Sequence, residues 1–121
     1  NPKLLFLLGT AYVQSNKTKE GIGYLKKSLS IKPDNASAHS NLGNAFKNLN
    51  RHEEALISFD KAIEINPNFA DAYSNRGVIL QEMKRYDEAL NSYDNVIKIN
   101  TIGECILNEL TRNMVKLKVR L

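Results

Sequence analysis

Residues 36–69 read ASAHSNLGNAFKNLNRHEEALISFDKAIEINPNF, and the apolar spacing inside this stretch decides the fold. Ala38, Leu42, Ala45, Phe46 and Leu49 fall at i, i+4, i+7, i+8 and i+11, which is one face of an α-helix. Ala55, Leu56, Phe59, Ala62 and Ile63 define a second helical face. Between them NLNRH (48–52) is a short polar break, where Asn50 and Glu53 have the spacing of a capping box. KPDN (32–35) before the stretch and NPN (66–68) near its end carry proline, which disfavours helix in the residue preceding it. The stretch therefore predicts helix, turn, helix, turn.

Shifting the chain against itself by thirty-four residues extends this reading in both directions. Ile22, Leu56 and Leu90 align, as do Leu25, Phe59 and Tyr93, then Leu29, Ile63 and Ile97. Gly21, Ala55 and Ala89 form a column of small residues, and Pro33 and Pro67 align with Thr101 in the third place. Self-similarity at a fixed period of this length signals a stack of helical hairpins. The expected units are about 2–35, 36–69 and 70–103 within a single domain, 1–121. Glycine recurs at 9, 43 and 77 in the first helix of each unit. Its cost in a helix interior, roughly 1 kcal/mol against alanine, is offset only where two helices must approach closely. The expected contact places Gly43 against Ala55 and Ala62, with Phe46 and Phe59 filling the space around the crossing.

The middle unit supplies His39, Leu42, Gly43, Phe46, Ala55, Phe59, Ala62 and Pro67 at the spacing of the tetratricopeptide repeat, whose family this pattern resembles. The third unit gives Tyr73, Gly77, Leu80, Ala89, Tyr93 and Val96, with Arg76 where leucine is usual. The first gives Leu5, Leu8, Gly9, Tyr12, Gly21, Leu25, Ser28 and Pro33, so the resemblance covers residues 2–103. It implies an all-α, right-handed solenoid whose first helices line a concave peptide-binding side. Arg76, at a core-facing position, is expected to lay its stem along the core and carry its guanidinium to water or a carboxylate.

Beyond Asn100 the repeat breaks, yet ECILNELTRNMVKLKVRL (104–121) still reads as helix. Ile102, Ile106, Leu110, Met114, Leu117 and Leu121 share one side, and Thr101 with Glu104 has capping-box spacing. The expected element is a closing helix over the last repeat, since solenoid ends need a cap. Val115 and Val119 on the opposite face leave three alternatives open: a degenerate fourth repeat, a contact with another domain, and self-association.

Composition narrows the function classes. The 121 residues are 42% hydrophobic and 25% charged, and no run approaches the roughly 20 apolar residues of a membrane span. Net charge is +4; residues 101–121 hold 4 Lys/Arg against 2 Asp/Glu, so half the excess sits in the tail. That is not the dense basic face of a nucleic-acid binder. A single cysteine, Cys105, forms no internal disulfide, so the fold needs no oxidising compartment and the cytoplasm is the expected setting. The chain opens with Asn and helix-forming sequence, which reads as an excerpt of something longer.

No catalytic constellation is legible. HEEAL (52–56) lacks the second histidine of a zinc helix, and His39 and His52 fall in aromatic columns. Cys105 has no ligand partner at metal spacing, the glycines are single, and paired carboxylates such as Glu53-Glu54 sit in first helical turns, where the helix dipole favours them. No cofactor, metal or catalytic residue is expected.

What remains is the free stripe of each first helix. It comprises Lys3, Phe6, Leu7, Thr10, Val13 and Gln14; then Ser37, Ser40, Asn41, Asn44, Lys47 and Asn48; then Asp71, Ser74, Asn75, Val78, Gln81 and Glu82. The stripe is amide-rich and nearly neutral, and a side-chain amide pairs with both halves of a peptide unit. Asn41 and Asn75 match in position the asparagine ladder of protein O-linked N-acetylglucosamine transferases, which Leu7 interrupts in the first unit. The carboxylate clamp of chaperone-binding members would need Lys and Asn where Phe6 and Thr10 stand. The expected function is a non-catalytic interaction scaffold for an extended peptide or partner helix, the alternative being the substrate arm of a glycosyltransferase-like chain.

Overall fold

Six helices follow one another: α1 (Pro2–Gln14), α2 (Thr18–Ile31), α3 (Ala36–Asn48), α4 (His52–Ile65), α5 (Ala70–Glu82) and α6 (Tyr86–Arg120). The computed structural model describes residues 1–120, with side chains described through Lys116, and contains no strand among them. α1 packs on α2, α3 on α4 and α5 on α6 as three hairpins, and the hairpins stack through α2 on α3 and α4 on α5. The chain is an all-α helical-repeat solenoid.

The turn inside each hairpin repeats in atomic detail. Asn16, Asn50 and Lys84 adopt φ of 64°, 59° and 63°, the left-handed region. The following amides, of Lys17, Arg51 and Arg85, donate back to the carbonyls of Tyr12, Phe46 and Leu80 at 2.9, 2.9 and 2.8 Å. This is the Schellman closure of a helix C-terminus. Asn50 is therefore not the capping-box residue expected from its spacing to Glu53; α4 is preceded by Arg51, with no side-chain cap. Asparagine tolerates left-handed backbone, and that use takes precedence here. The turns between hairpins behave as anticipated after KPDN, where the Asn35 side chain accepts from the Ala38 amide at 3.0 Å.

The glycine column is a contact. A Cβ added at Gly43 would lie 2.8 Å from Cε1 and Cζ of Phe59, and one at Gly77 would lie 2.6 Å from Cε1 of Tyr93. At Gly9 the neighbours are Leu25 Cγ at 2.9 Å and the Gly21 carbonyl oxygen at 3.0 Å. In the second and third hairpins the atoms nearest that position belong to an aromatic ring of the second helix, so Phe59 fills the space beside Gly43 as expected and Tyr93 does the same beside Gly77. Phe59, Leu25, Ile79 and Leu80 are the largest fully buried apolar side chains.

The tail departs from expectation. It forms no separate closing helix, because α6 continues without interruption through residues 100–104. Thr101 replaces the proline of the earlier units, and its hydroxyl donates to the Ile97 carbonyl at 2.8 Å as an in-helix residue, not as a cap. Residues 101–116 are all exposed, so Ile102, Ile106, Leu110 and Met114 cover no edge of the stack. The side chains of Leu117, Val119 and Leu121 lie outside the described residues.

Candidate functional site

The first helices converge and the second helices splay. α1 touches α3 and α3 touches α5, while α2, α4 and α6 make no contact with one another among the described residues. α1, α3 and α5 therefore form the inner wall of the curve. A hairpin whose first helix carries small residues, Gly43, Ala38 and Ala45, sinks that helix toward its neighbours and leaves the polar stripe facing the hollow.

Two depressions lie side by side on this wall. One, of about 290 Å³, is lined by Thr10, Val13, Gln14, Asn16, Asn41, Asn44 and Asn48. The other, of about 410 Å³, is lined by Phe6, Ser37, Ser40, Asn41, Asn44, Phe69, Asp71, Ser74 and Asn75. Asn41 and Asn44 belong to both and form the ridge between them. A third depression beside the first helix, of about 200 Å³, brings Lys3 and Phe6 together with Pro2, Lys32 and Asn35.

Within the wall the polar groups are only partly committed. The Asn41 amide nitrogen donates to the Thr10 hydroxyl at 3.0 Å, and that hydroxyl donates onward to the Phe6 carbonyl at 2.8 Å. This chain ties α1 to α3 and leaves the Asn41 carbonyl oxygen unspent. Asn44 and Asn75 line the depressions half-buried. Ser40 is buried, with 4% of its surface exposed, so it contributes floor more than reach. Asp71 adds an exposed carboxylate at the far end.

Other residues of the predicted stripe are placed elsewhere. Gln81 accepts from the Tyr93 hydroxyl at 3.1 Å and so turns toward α6. Glu82 lies 3.3 Å from His52 Nε2 across the α4–α5 junction, within ion-pair distance but without hydrogen-bond geometry. Lys47 and the exposed Val78 line neither depression. Asn16, Phe69, Asn35 and Lys32 were not anticipated. They sit in or beside the turns, and a helical wheel places only helical residues; the left-handed Asn16 was the one with a legible signal, an asparagine at the turn position it shares with Asn50.

Arg76 behaves as a core-edge arginine. Its Nε donates to Asp60 at 2.6 Å and its Nη1 to the Ser92 hydroxyl at 2.8 Å, bridging α5 to α4 and α6 away from the hollow. His39 is a packing residue, 8% exposed, whose Nε2 lies 2.9 Å from the Pro33 carbonyl. A carbonyl oxygen can only accept, so that nitrogen carries the proton. Among the described residues no three His, Cys, Asp or Glu side chains converge as a metal site. Among the described residues no helix is long and apolar enough to cross a membrane.

Comparison with known proteins agrees with this geometry. The family description "Tetratricopeptide repeat" matches residues 36–69 and 58–91, and "TPR repeat" matches residues 9–50. No curated protein sequence matches the chain. Among solved structures, a crystal structure of MamA superimposes with a TM-score of 0.84 at 21% identity, over 86% of this chain and 61% of that one. A MamA mutant is 30% identical with a TM-score of 0.76, over 82% of this chain and 72% of that one. The second TPR of Spaghetti (RPAP3), bound to an HSP90 peptide, gives 0.78 at 18% identity, over 81% and 91% of the two chains. The chain spans 61%, 56% and 55% of three of the MamA structures it matches.

Proposed function

Since the chain belongs to the tetratricopeptide-repeat family, we propose that it is a non-catalytic protein-interaction scaffold whose inner wall grips the main chain of an extended peptide. The observation that carries the reading is the shared ridge: Asn41 and Asn44 line both depressions, and Asn75 lines the second with them. Amide side chains offer a donor and an acceptor together, so they pair with a peptide's own N–H and C=O without selecting its side chains. Phe6, Val13 and Phe69 give each depression an apolar floor where an alternate side chain of the ligand would rest. The peptide carried by the Spaghetti repeat supports a peptide as the class of ligand. The wall here lacks the basic row that would favour a carboxylate terminus. The alternative, a substrate arm of a glycosyltransferase-like chain, would need a catalytic segment in the flanking sequence.

The experiment starts from a displayed library of random linear peptides selected on this chain. Titration calorimetry then compares the selected peptide on the parent and on Asn44→Ala/Asn75→Ala. Asn41 is left intact because it also holds Thr10. Losing two to three hydrogen bonds, at about 1 kcal/mol each, weakens binding by roughly 30- to 150-fold while the melting curve stays in place. Selection of no peptide, or unchanged affinity in the double variant, refutes the proposal.

A further inference from the structure

The inner wall is neutral in sum but not along its length. Lys3, Ser37 and Asp71 hold the same repeat position in α1, α3 and α5, so one column across the wall runs from a cation through a neutral hydroxyl to an anion. Helix electrostatics does not account for the cation: the first turn of a helix favours negative charge, and Lys3 stands in the first turn of α1. Lys32, in the turn after α2, lines the same depression as Lys3, together with Pro2, Phe6 and Asn35. Asp71 lines the depression of about 410 Å³, and Phe6 lines both. The two hollows therefore adjoin along one track, with lysines at one end and a carboxylate at the other. None of these three charges has an ion-pair partner among the described residues, whereas Arg51, Arg76 and Arg85 are each spent on a carboxylate of the stack. The wider field has the same sense: residues 1–35 hold 6 Lys/Arg against 2 Asp/Glu, and residues 36–103 hold 7 against 9.

We propose that the peptide gripped by this wall is dipolar, with an acidic side chain between Lys3 and Lys32 and a basic side chain at Asp71; the inference rests on the reading of the wall as a peptide groove. The amides hold the main chain without reading its side chains, so they leave both direction and sequence open. Unpartnered charges at the two ends supply both, since a chain laid the wrong way sets like beside like. The spacing follows from the architecture. Packed helices lie about 8–10 Å apart, so the two steps from α1 to α5 cover about 16–20 Å. An extended chain rises about 3.3 Å per residue, which sets the two charged side chains about five or six residues apart. Lys3, Lys32 and Asp71 are all exposed, so each ion pair is weak and screened by salt. Such pairs select the ligand more than they tighten it.

The probe is the library of random linear peptides, selected in parallel on the parent, on Asp71→Lys and on Lys3→Glu/Lys32→Glu. On the parent, enriched sequences are expected to carry Asp or Glu and, about five or six residues away in one constant order, Lys or Arg. Asp71→Lys should turn the basic preference acidic and leave the other end as it was. Lys3→Glu/Lys32→Glu should turn the acidic preference basic. Titration calorimetry of a peptide selected on the parent against Lys3→Gln/Lys32→Gln should show roughly 2- to 30-fold weaker binding, the loss of two exposed ion pairs. That loss should shrink in about 0.5 M salt while the melting curves stay in place. Enriched peptides without paired charges, one charge pattern on all three proteins, or a loss untouched by salt overturns the proposal and leaves the peptide groove standing. Failure to enrich any peptide on the parent overturns the groove itself, and this proposal with it.

Discussion

Gly43→Leu and Asn44→Leu change neighbouring residues on one helix, and the structure assigns them opposite outcomes. By helix propensity both should help, since leucine exceeds glycine by about 0.8 kcal/mol and asparagine by a few tenths. Packing decides otherwise. The first added carbon at Gly43 arrives 2.8 Å from two ring atoms of Phe59 and 2.9 Å from a third, well inside contact distance. That ring is fully buried, at 0% exposure, so it has no solvent-filled space into which to swing. Three further carbons must then fit between α3 and α4. Overpacking of this kind costs about 1–3 kcal/mol and occasionally more. Because the second hairpin sits between two others, relief by separating α3 from α4 also loosens the stacking of α2 on α3 and α4 on α5. Net of propensity the loss is about 0.2–2.2 kcal/mol, and more where overpacking exceeds its usual range, a fall of roughly 1–12 °C in melting temperature for a chain of this size. Asn44 faces the hollow half-buried, where a substitution moves stability by about 0.5 kcal/mol either way.

Thermal unfolding followed by circular dichroism, with both variants beside the parent, reads the difference. A double-mutant cycle with Phe59→Ala sharpens it: the leucine occupies part of the space the ring vacates, so the double variant is more stable than the sum of the two losses implies. If Gly43→Leu melts at or above the parent, the ring does not press on the glycine. The assignment of α3 to an inner wall and a packed face then fails with it.

Two further substitutions test other parts of the stack. Leu56 and Leu90 hold the same repeat position, yet they are 6% and 61% exposed, since the next hairpin stacks on α4 and, among the described residues, none stacks on α6; Leu56→Ala should cost about 2–5 kcal/mol and Leu90→Ala under about 1, as read by denaturant unfolding. Lys84 adopts φ of 63° in a turn where its counterparts are asparagines, so Lys84→Gly should raise stability by about 0.5–1 kcal/mol; a lower melting temperature would show that the left-handed turn is not strained.

The repeat was legible because its determinants are local. The spacing of Leu42, Phe46, Phe59 and Ile63 states which side of each helix is buried, and the thirty-four-residue recurrence states that the unit is copied. The glycine column declared a close approach, and Phe59, on the apolar face of the second helix, was legible as the side chain that fills it. Asn50 is a different case. An asparagine two residues before a helix suits the end of one helix and the start of the next, and only the backbone path separates the two uses. Asn41, Asn44, Ser74 and Asn75, which line the depressions, lie at helix-face positions that spacing alone gives. Gln81 and Glu82 line neither depression; the Tyr93 hydroxyl donates to Gln81 and His52 lies beside Glu82, contacts that helical spacing does not show.

The tail shows the same limit from the other direction. Its capping-box spacing at Thr101 and Glu104 was satisfied in sequence, but a capping box acts only where the helix is already interrupted. Pro33 and Pro67 supply that interruption in the first two units, and Thr101 does not. A threonine hydroxyl inside a helix can return its hydrogen bond to the carbonyl four residues back, as it does to Ile97, and the helix runs on. One residue at the turn position thus separates a stack that folds back on itself from one that extends an uncovered arm.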